Sequence, residues 1–132
     1  MRIIADLHIH SKYSRATSPK LEFPKLEYWA KRKGINVLAT GDFTHPAWVA
    51  EIKEKLKPAE KGLFKLKDKY RLEKTKKFSG SRPRFFLEAE ISSIYKKAGA
   101  TRKIHNNIYA PSIEIVEKIN KELSEIGNLK AD

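Results

Sequence analysis

The chain opens on Arg2-Ile3-Ile4-Ala5-Asp6-Leu7-His8-Ile9-His10-Ser11, a short apolar run that breaks into two histidines one residue apart. Read as a buried strand over Arg2 to Leu7, it points residues two apart to the same face. His8 and His10 then project together from the strand's C-terminal end. Two imidazoles side by side suit one divalent ion, and Asp6, in phase with them, is a ligand or an orienter of the ligands. An isolated His-x-His fits a strand that merely caps a core equally well. The weight therefore falls on whether other ligand-type residues stand where further strands end.

Composition narrows the chemistry. The 132 residues suffice for one domain with a real core, and one domain over 1–132 is the expectation. There is no cysteine, so a metal here needs His, Asp and Glu. No run is long and apolar enough to span a bilayer, and Asp6 and His8 interrupt any signal-peptide order, so a cytoplasmic protein is expected. Lys and Arg number 28 against 16 Asp and Glu, a net charge of +12. Such a surface attracts polyanions, although lysine also serves as a plain solubiliser.

Along the chain, apolar runs alternate with helical patterns. Pro24 opens a helix on which Leu26, Trp29 and Ala30 share a face, and Gly34 follows its basic end. Ile35 to Thr40 reads as a second strand, ending at the polar loop Gly41-Asp42-Phe43-Thr44-His45-Pro46. A second helix over Ala47 to Leu56 buries Trp48, Val49, Ile52 and Leu56. Residues 59–83 form an irregular basic insertion, with lysines interleaved among Phe64, Tyr70 and Phe78. That mixture suits a single-stranded nucleic-acid surface, or a solvated segment packed by its apolar residues. Phe85 to Ser92 is a third strand on which Glu88 and Glu90 share a face. A carboxylate at the end of a buried strand needs a reason, and a metal or a base role supplies one. Lys103 to Ala110 is a fourth strand with His105 near its start. Ser112 then caps a helix with Ile113, Val116, Ile119, Leu123 and Ile126 on its apolar face. This order argues for an α/β fold, a mostly parallel sheet with flanking helices, whose ligands collect beyond the C-terminal strand ends.

With these residues in view, the chain resembles the PHP (polymerase and histidinol phosphatase) family of metal-dependent phosphoesterases. Asp6-Leu7-His8-Ile9-His10-Ser11 is similar to that family's opening motif. Thr40-Gly41-Asp42-Phe43-Thr44-His45 stands in the place of its Thr-Asp-His motif, with Asp42 or His45 as the residue that completes the metal shell. Ala89-Glu90-Ile91-Ser92 looks like the third motif, whose glutamate bridges two metals. Lys103-Ile104-His105 looks like the next strand, whose histidine is another ligand. The resemblance thus implies His8, His10, Glu90, His105 and His45 as metal residues. Glu88, like Asp6, would orient them. It is nearest to an archaeal and bacterial branch sometimes labelled UvrD-type helicase, but the chain has no Gly-x-x-x-x-Gly-Lys-Ser/Thr loop to cradle a nucleotide.

The implied chemistry is hydrolysis of a phosphate ester by a metal-activated water, with zinc, manganese or iron compatible with such a donor set. Asp42 and Arg15 are the implied catalytic residues. Arg15 stands where the family often has an acidic residue or a histidine, and could clamp a phosphate oxygen. The family fold is a distorted (β/α) TIM-like barrel, completed by later strands bearing a further His and an Asp-x-His that are not found here. A full barrel takes about 250 residues, so the chain looks like an N-terminal portion with impaired turnover. Its expected partners are a phosphorylated substrate, with nucleic acid as one candidate, and either itself or a missing C-terminal half. A basic nucleic-acid-binding module without catalysis is the competing expectation.

Overall fold

The computed structural model describes residues 2–130. β1 (Ala5–Asp6) leads through a long loop to α1 (Phe23–Lys33), β2 (Val37–Ala39) and α2 (Pro46–Lys55). β3 (Leu56–Pro58) and β4 (Phe64–Leu66) follow, then a 3-10 turn at Asp68–Tyr70 and the short α3 (Glu73–Lys76). Two long strands, β5 (Arg84–Lys97) and β6 (Ala100–Ala110), precede α4 (Ile113–Ser124). The strands form one open sheet in the order β1-β2-β5-β4-β3, with β6 paired to β5.

The sheet is mixed, not mostly parallel. β1, β2 and β5 run parallel, whereas β3–β4, β4–β5 and β5–β6 are antiparallel. The cause is local. β5 and β6 are joined by a two-residue turn at Ala98-Gly99, both with positive φ (52° and 76°), and a turn that tight can join only antiparallel neighbours. The two separate strands expected over 85–92 and 103–110 are therefore arms of one extended hairpin, and His105 lies mid-strand in β6.

β1 also departs from expectation. It is two residues long and lies at the edge of the sheet, so Ile3, Ile4 and Leu7 are 58%, 45% and 56% exposed, where a buried strand had been expected.

The core lies between the sheet and the first two helices. Phe23 of α1 stacks on Trp48 of α2 at 4.3 Å and meets Phe85 of β5 edge-on at 5.4 Å, the offset and T-shaped geometries that ring quadrupoles favour. The buried face of α1 is Phe23, Leu26, Glu27 and Ala30. Trp29, expected in that stripe, is half exposed, and the buried Glu27 takes the inner position, held by Arg71 and Arg82. Pro24 and Gly34 bracket the helix. In α2, Trp48, Val49 and Ile52 are buried. Leu56 is buried too, as the first residue of β3. On α4 only Val116 is buried, Ser112 caps the N-terminus by accepting from the Ile115 N–H, and Ile126 lies beyond the helix, exposed. Within 59–83, Phe64 and Leu66 of β4 enter the core.

Among the described residues no helix is long and apolar enough to cross a membrane.

Candidate metal centre

The loops after β1 and β2 and the middle of β5 meet at one end of the sheet because these strands run parallel there. Their approach is close. A Cβ on Gly41 would stand 2.4 Å from the Ile9 carbonyl oxygen, and its φ is +68°, so glycine alone fits. The Trp48 indole N–H, donating to the carbonyls of Thr40 and Gly41 at 3.1 and 3.0 Å, fixes that loop from below.

Three ligand-type side chains converge at this junction. His8, His10 and Glu90 each offer one atom, and those atoms all lie within 4.8 Å of one another. Nε2 of His8 and Nε2 of His10 both stand 3.3 Å from the same Glu90 oxygen, Oε2. The other ring nitrogens are committed elsewhere. His8 Nδ1 donates to Glu88 Oε1 at 2.9 Å, and His10 Nδ1 to Asp42 Oδ1 at 3.1 Å. A carboxylate behind each imidazole fixes ring orientation and leaves Nε2 as the lone-pair donor. Two such lone pairs then face an anionic oxygen, an arrangement that a cation among them makes favourable. The donor set of two imidazoles and a carboxylate suits zinc, manganese or iron.

The supporting carboxylates differ in their surroundings. Glu88 is fully buried, and burial raises its carboxyl above the ordinary range against the opposing pull of His8. His8 is raised in turn, first by its bond to Glu88. Burial also works against ionisation of Asp42, but bonds from Ser11, His10 and Ser14 outweigh it, so Asp42 lies below the usual carboxylate value. Its Oδ2 accepts from the Ser11 N–H at 2.5 Å and from the Ser14 hydroxyl at 2.9 Å.

The remaining sequence candidates lie around this trio. His105 contacts the other Glu90 oxygen through Nδ1, and the Ser92 hydroxyl lies 3.0 Å from the same nitrogen. Glu90 thus touches three imidazoles. His45 is apart from the cluster. It stacks on Tyr13 at 4.6 Å, and its Nδ1 is buried without a partner among the described residues. Arg15 and His45 line the wall of a cleft of about 350 Å³ that also contains His10, Asp42, Glu90 and His105. Asp6 is not in the trio. It borders a separate, more apolar hollow against α1 with Leu21, Leu26 and Trp29, because the strand stops at Asp6 and the two-residue phase does not carry through to His8.

Sequence reasoning missed the serines. Ser11, Ser14 and Ser92 hold the ligands or their carboxylates, yet serines in polar loops carry no distinguishing signal. It also missed Glu51, which ties the first loop to α2 by accepting from Lys12 at 2.6 Å and the Tyr13 hydroxyl at 2.7 Å.

No family profile matches the chain. Over 49 residues, 37% of its length, the chain is 45% identical to an uncharacterized protein of Methanocaldococcus jannaschii, of which this stretch is 6%. Its fold is similar to that of a solved lesion-specific endonuclease, endonuclease Q from Pyrococcus furiosus, with a TM-score of 0.73 and 25% identity over 98% of the chain. An endonuclease Q complex with a 27-mer duplex bearing an abasic lesion gives a TM-score of 0.72 and 26% identity over 97%. The chain spans 27% of each of those structures, so its likeness is to a part of them. Neither neighbour is named as a helicase.

Proposed function

We propose that the chain carries the metal-binding part of a PHP-type phosphoesterase that hydrolyses a phosphate ester in nucleic acid. One observation carries the reading: Nε2 of His8 and of His10 meet on Glu90 Oε2, and each ring is backed by its own carboxylate. The resemblance to endonuclease Q, solved on a lesion-bearing duplex, supplies the substrate class. On this reading residues 1–132 form one domain and the sheet is the opening part of a barrel-like fold.

The roles follow from position. His8, His10 and Glu90 would hold a divalent ion, and His105, on the other Glu90 oxygen, would help hold a second. Such ions supply a water of lowered pKa and neutralise phosphate oxygens. Glu88 and Asp42 keep the imidazole lone pairs aimed inward. Arg15, on the cleft wall, is placed to hold a phosphate oxygen, for which its planar fork of donors is suited. His45 would enter the shell only if its ring left Tyr13, so Asp42 is the better placed of the two, acting through His10.

The test is elemental analysis of the purified protein beside the His8→Ala/His10→Ala double variant. Stoichiometric zinc, manganese or iron in the first and none in the second is expected. Equal metal content in both would overturn the reading. A nucleic-acid-binding module without catalysis, favoured by the net charge of +12, predicts salt-steep binding with no metal in either protein.

A further inference from the structure

Beyond Phe86, β5 leaves the body of the sheet and pairs with β6 alone, out to the turn at Ala98-Gly99. This ribbon carries Lys96, Lys97, Arg102 and Lys103, all exposed and none in an ion pair among the described residues. No acidic residue lies between Glu90 and Glu114 in the sequence. Between 53 and 84 acidic residues are interspersed, and Lys53, Lys55, Lys57, Arg71, Arg82 and Arg84 hold carboxylates. Four cations that could neutralise an outside anion therefore stand together on the ribbon with no carboxylate among them.

Register sorts them by face. Side chains alternate along each strand, and directly paired residues share a face. Ser92, Ile94 and Lys96 follow Glu90 on the face of the metal centre, and their partners there are His105, Lys103 and Thr101. Lys97 and Arg102 belong to the opposite face. Lys96 is six residues beyond Glu90, about 20 Å at the rise of a strand. One DNA strand carries a phosphate for roughly every 3.4 Å of axis, so this face is long enough to follow several phosphates. Ile94, 63% exposed between the lysines, adds an apolar contact. Charged residues also keep exposed ribbons soluble; each face carries two cations, and the one with Lys96 and Lys103 is the face that continues from Glu90.

We infer that this face is a track for the phosphate backbone of a nucleic-acid duplex leaving the metal centre, with Lys103 and Lys96 as its phosphate contacts. The inference rests on the reading that the substrate is nucleic acid. Phosphate contacts fix register and direction without reading sequence, so the track would position the scissile bond over Glu90 whatever the flanking bases.

The experiment uses the full chain and a fluorescein-labelled DNA duplex, with binding followed by anisotropy across a salt series. Lys96→Ser/Lys103→Ser is compared with Lys97→Ser/Arg102→Ser, which removes the same charge from the opposite face. The first pair is expected to weaken binding and flatten the slope of log K against log salt by about two, roughly one per lysine. The second pair should leave the slope close to wild type, and Lys96→Arg/Lys103→Arg should restore it. Equal loss from both pairs, or none from the first, overturns the track while leaving a nucleic-acid substrate standing. A wild-type protein that contains metal but binds no duplex at low salt defeats the track and the substrate class together. All substituted positions are exposed, and a thermal melt confirms that each variant is folded.

Discussion

Each imidazole at the centre depends on a carboxylate that does not itself reach the trio. Replacing Glu88 or Asp42 by Ala frees the ring behind it to rotate and to change tautomer. Each change should weaken metal binding by about 10–100-fold, read by competition with a chromophoric chelator. Unaltered affinity in both variants would mean the rings are held by packing alone. Glu51 makes a separate prediction. Burial opposes its charge, yet Lys12, Lys55 and Tyr13 pull its pKa down to about 2 from an ordinary 4.5. A depressed folded value means its stabilisation is complete above the unfolded pKa and disappears as pH falls toward the folded one. The melting temperature of the wild type should therefore drop more steeply between pH 4.5 and 2 than that of Glu51→Gln. Parallel curves would refute this. At this scale the sequence was informative where residue type is rare and placement specific. Two histidines one residue apart and a glutamate within an apolar run can be picked out by eye. Ser11 and Ser14 cannot, because what distinguishes them is a 2.5–2.9 Å approach to Asp42 across about thirty residues of chain.

Secondary elements were read well where chemistry punctuates them and poorly where it does not. Pro24 and Gly34 mark α1, and Ser112 marks the start of α4. Ala98-Gly99 lacks the Asn-Gly or Asp-Gly signature of a tight hairpin, and the continuous hairpin was accordingly divided into two strands. The buried stripe of α1 was misjudged for another reason. Glu27 is charged, and only its distant partners Arg71 and Arg82 make burial tolerable. Those contacts also fasten the 3-10 turn and α3 to α1. Glu27→Ala would leave two arginines facing a void, with an expected loss of about 3–5 kcal/mol, measured by urea unfolding. Limited proteolysis between Lys67 and Arg82 should also become faster. A loss below about 1 kcal/mol would show that the segment is held by Phe64 and Leu66 instead.

For the molecule as a whole, strand order was the hardest property to foresee, since β5 inserts between β2 and β4 from 45 residues downstream of the end of one and 18 downstream of the end of the other. Nothing local to Phe85 announces those neighbours. The order leaves β1 paired on one side only, with Ile3, Ile4 and Leu7 exposed beside it. An unpaired apolar edge favours association between copies. Sedimentation velocity should show a weight that grows with protein concentration, and Leu7→Lys should reduce that growth; a constant monomer weight for the wild type would exclude it. The same order has a kinetic corollary. His8 and Glu88 are 80 residues apart in sequence, and Glu90 is farther still. An ion gripped by His8, His10 and Glu90 would fasten the first strand to the fifth and so close a loop of most of the chain, at an entropic cost of about 4 kcal/mol in a flexible chain. The nascent chain would hold no such pocket until β5 has docked, so an ion bound there would enter late and act as a clasp against unravelling. Metal at a hundred times its Kd should add about 2.7 kcal/mol to stability, and chelation should lower Tm mainly by speeding the release of β1.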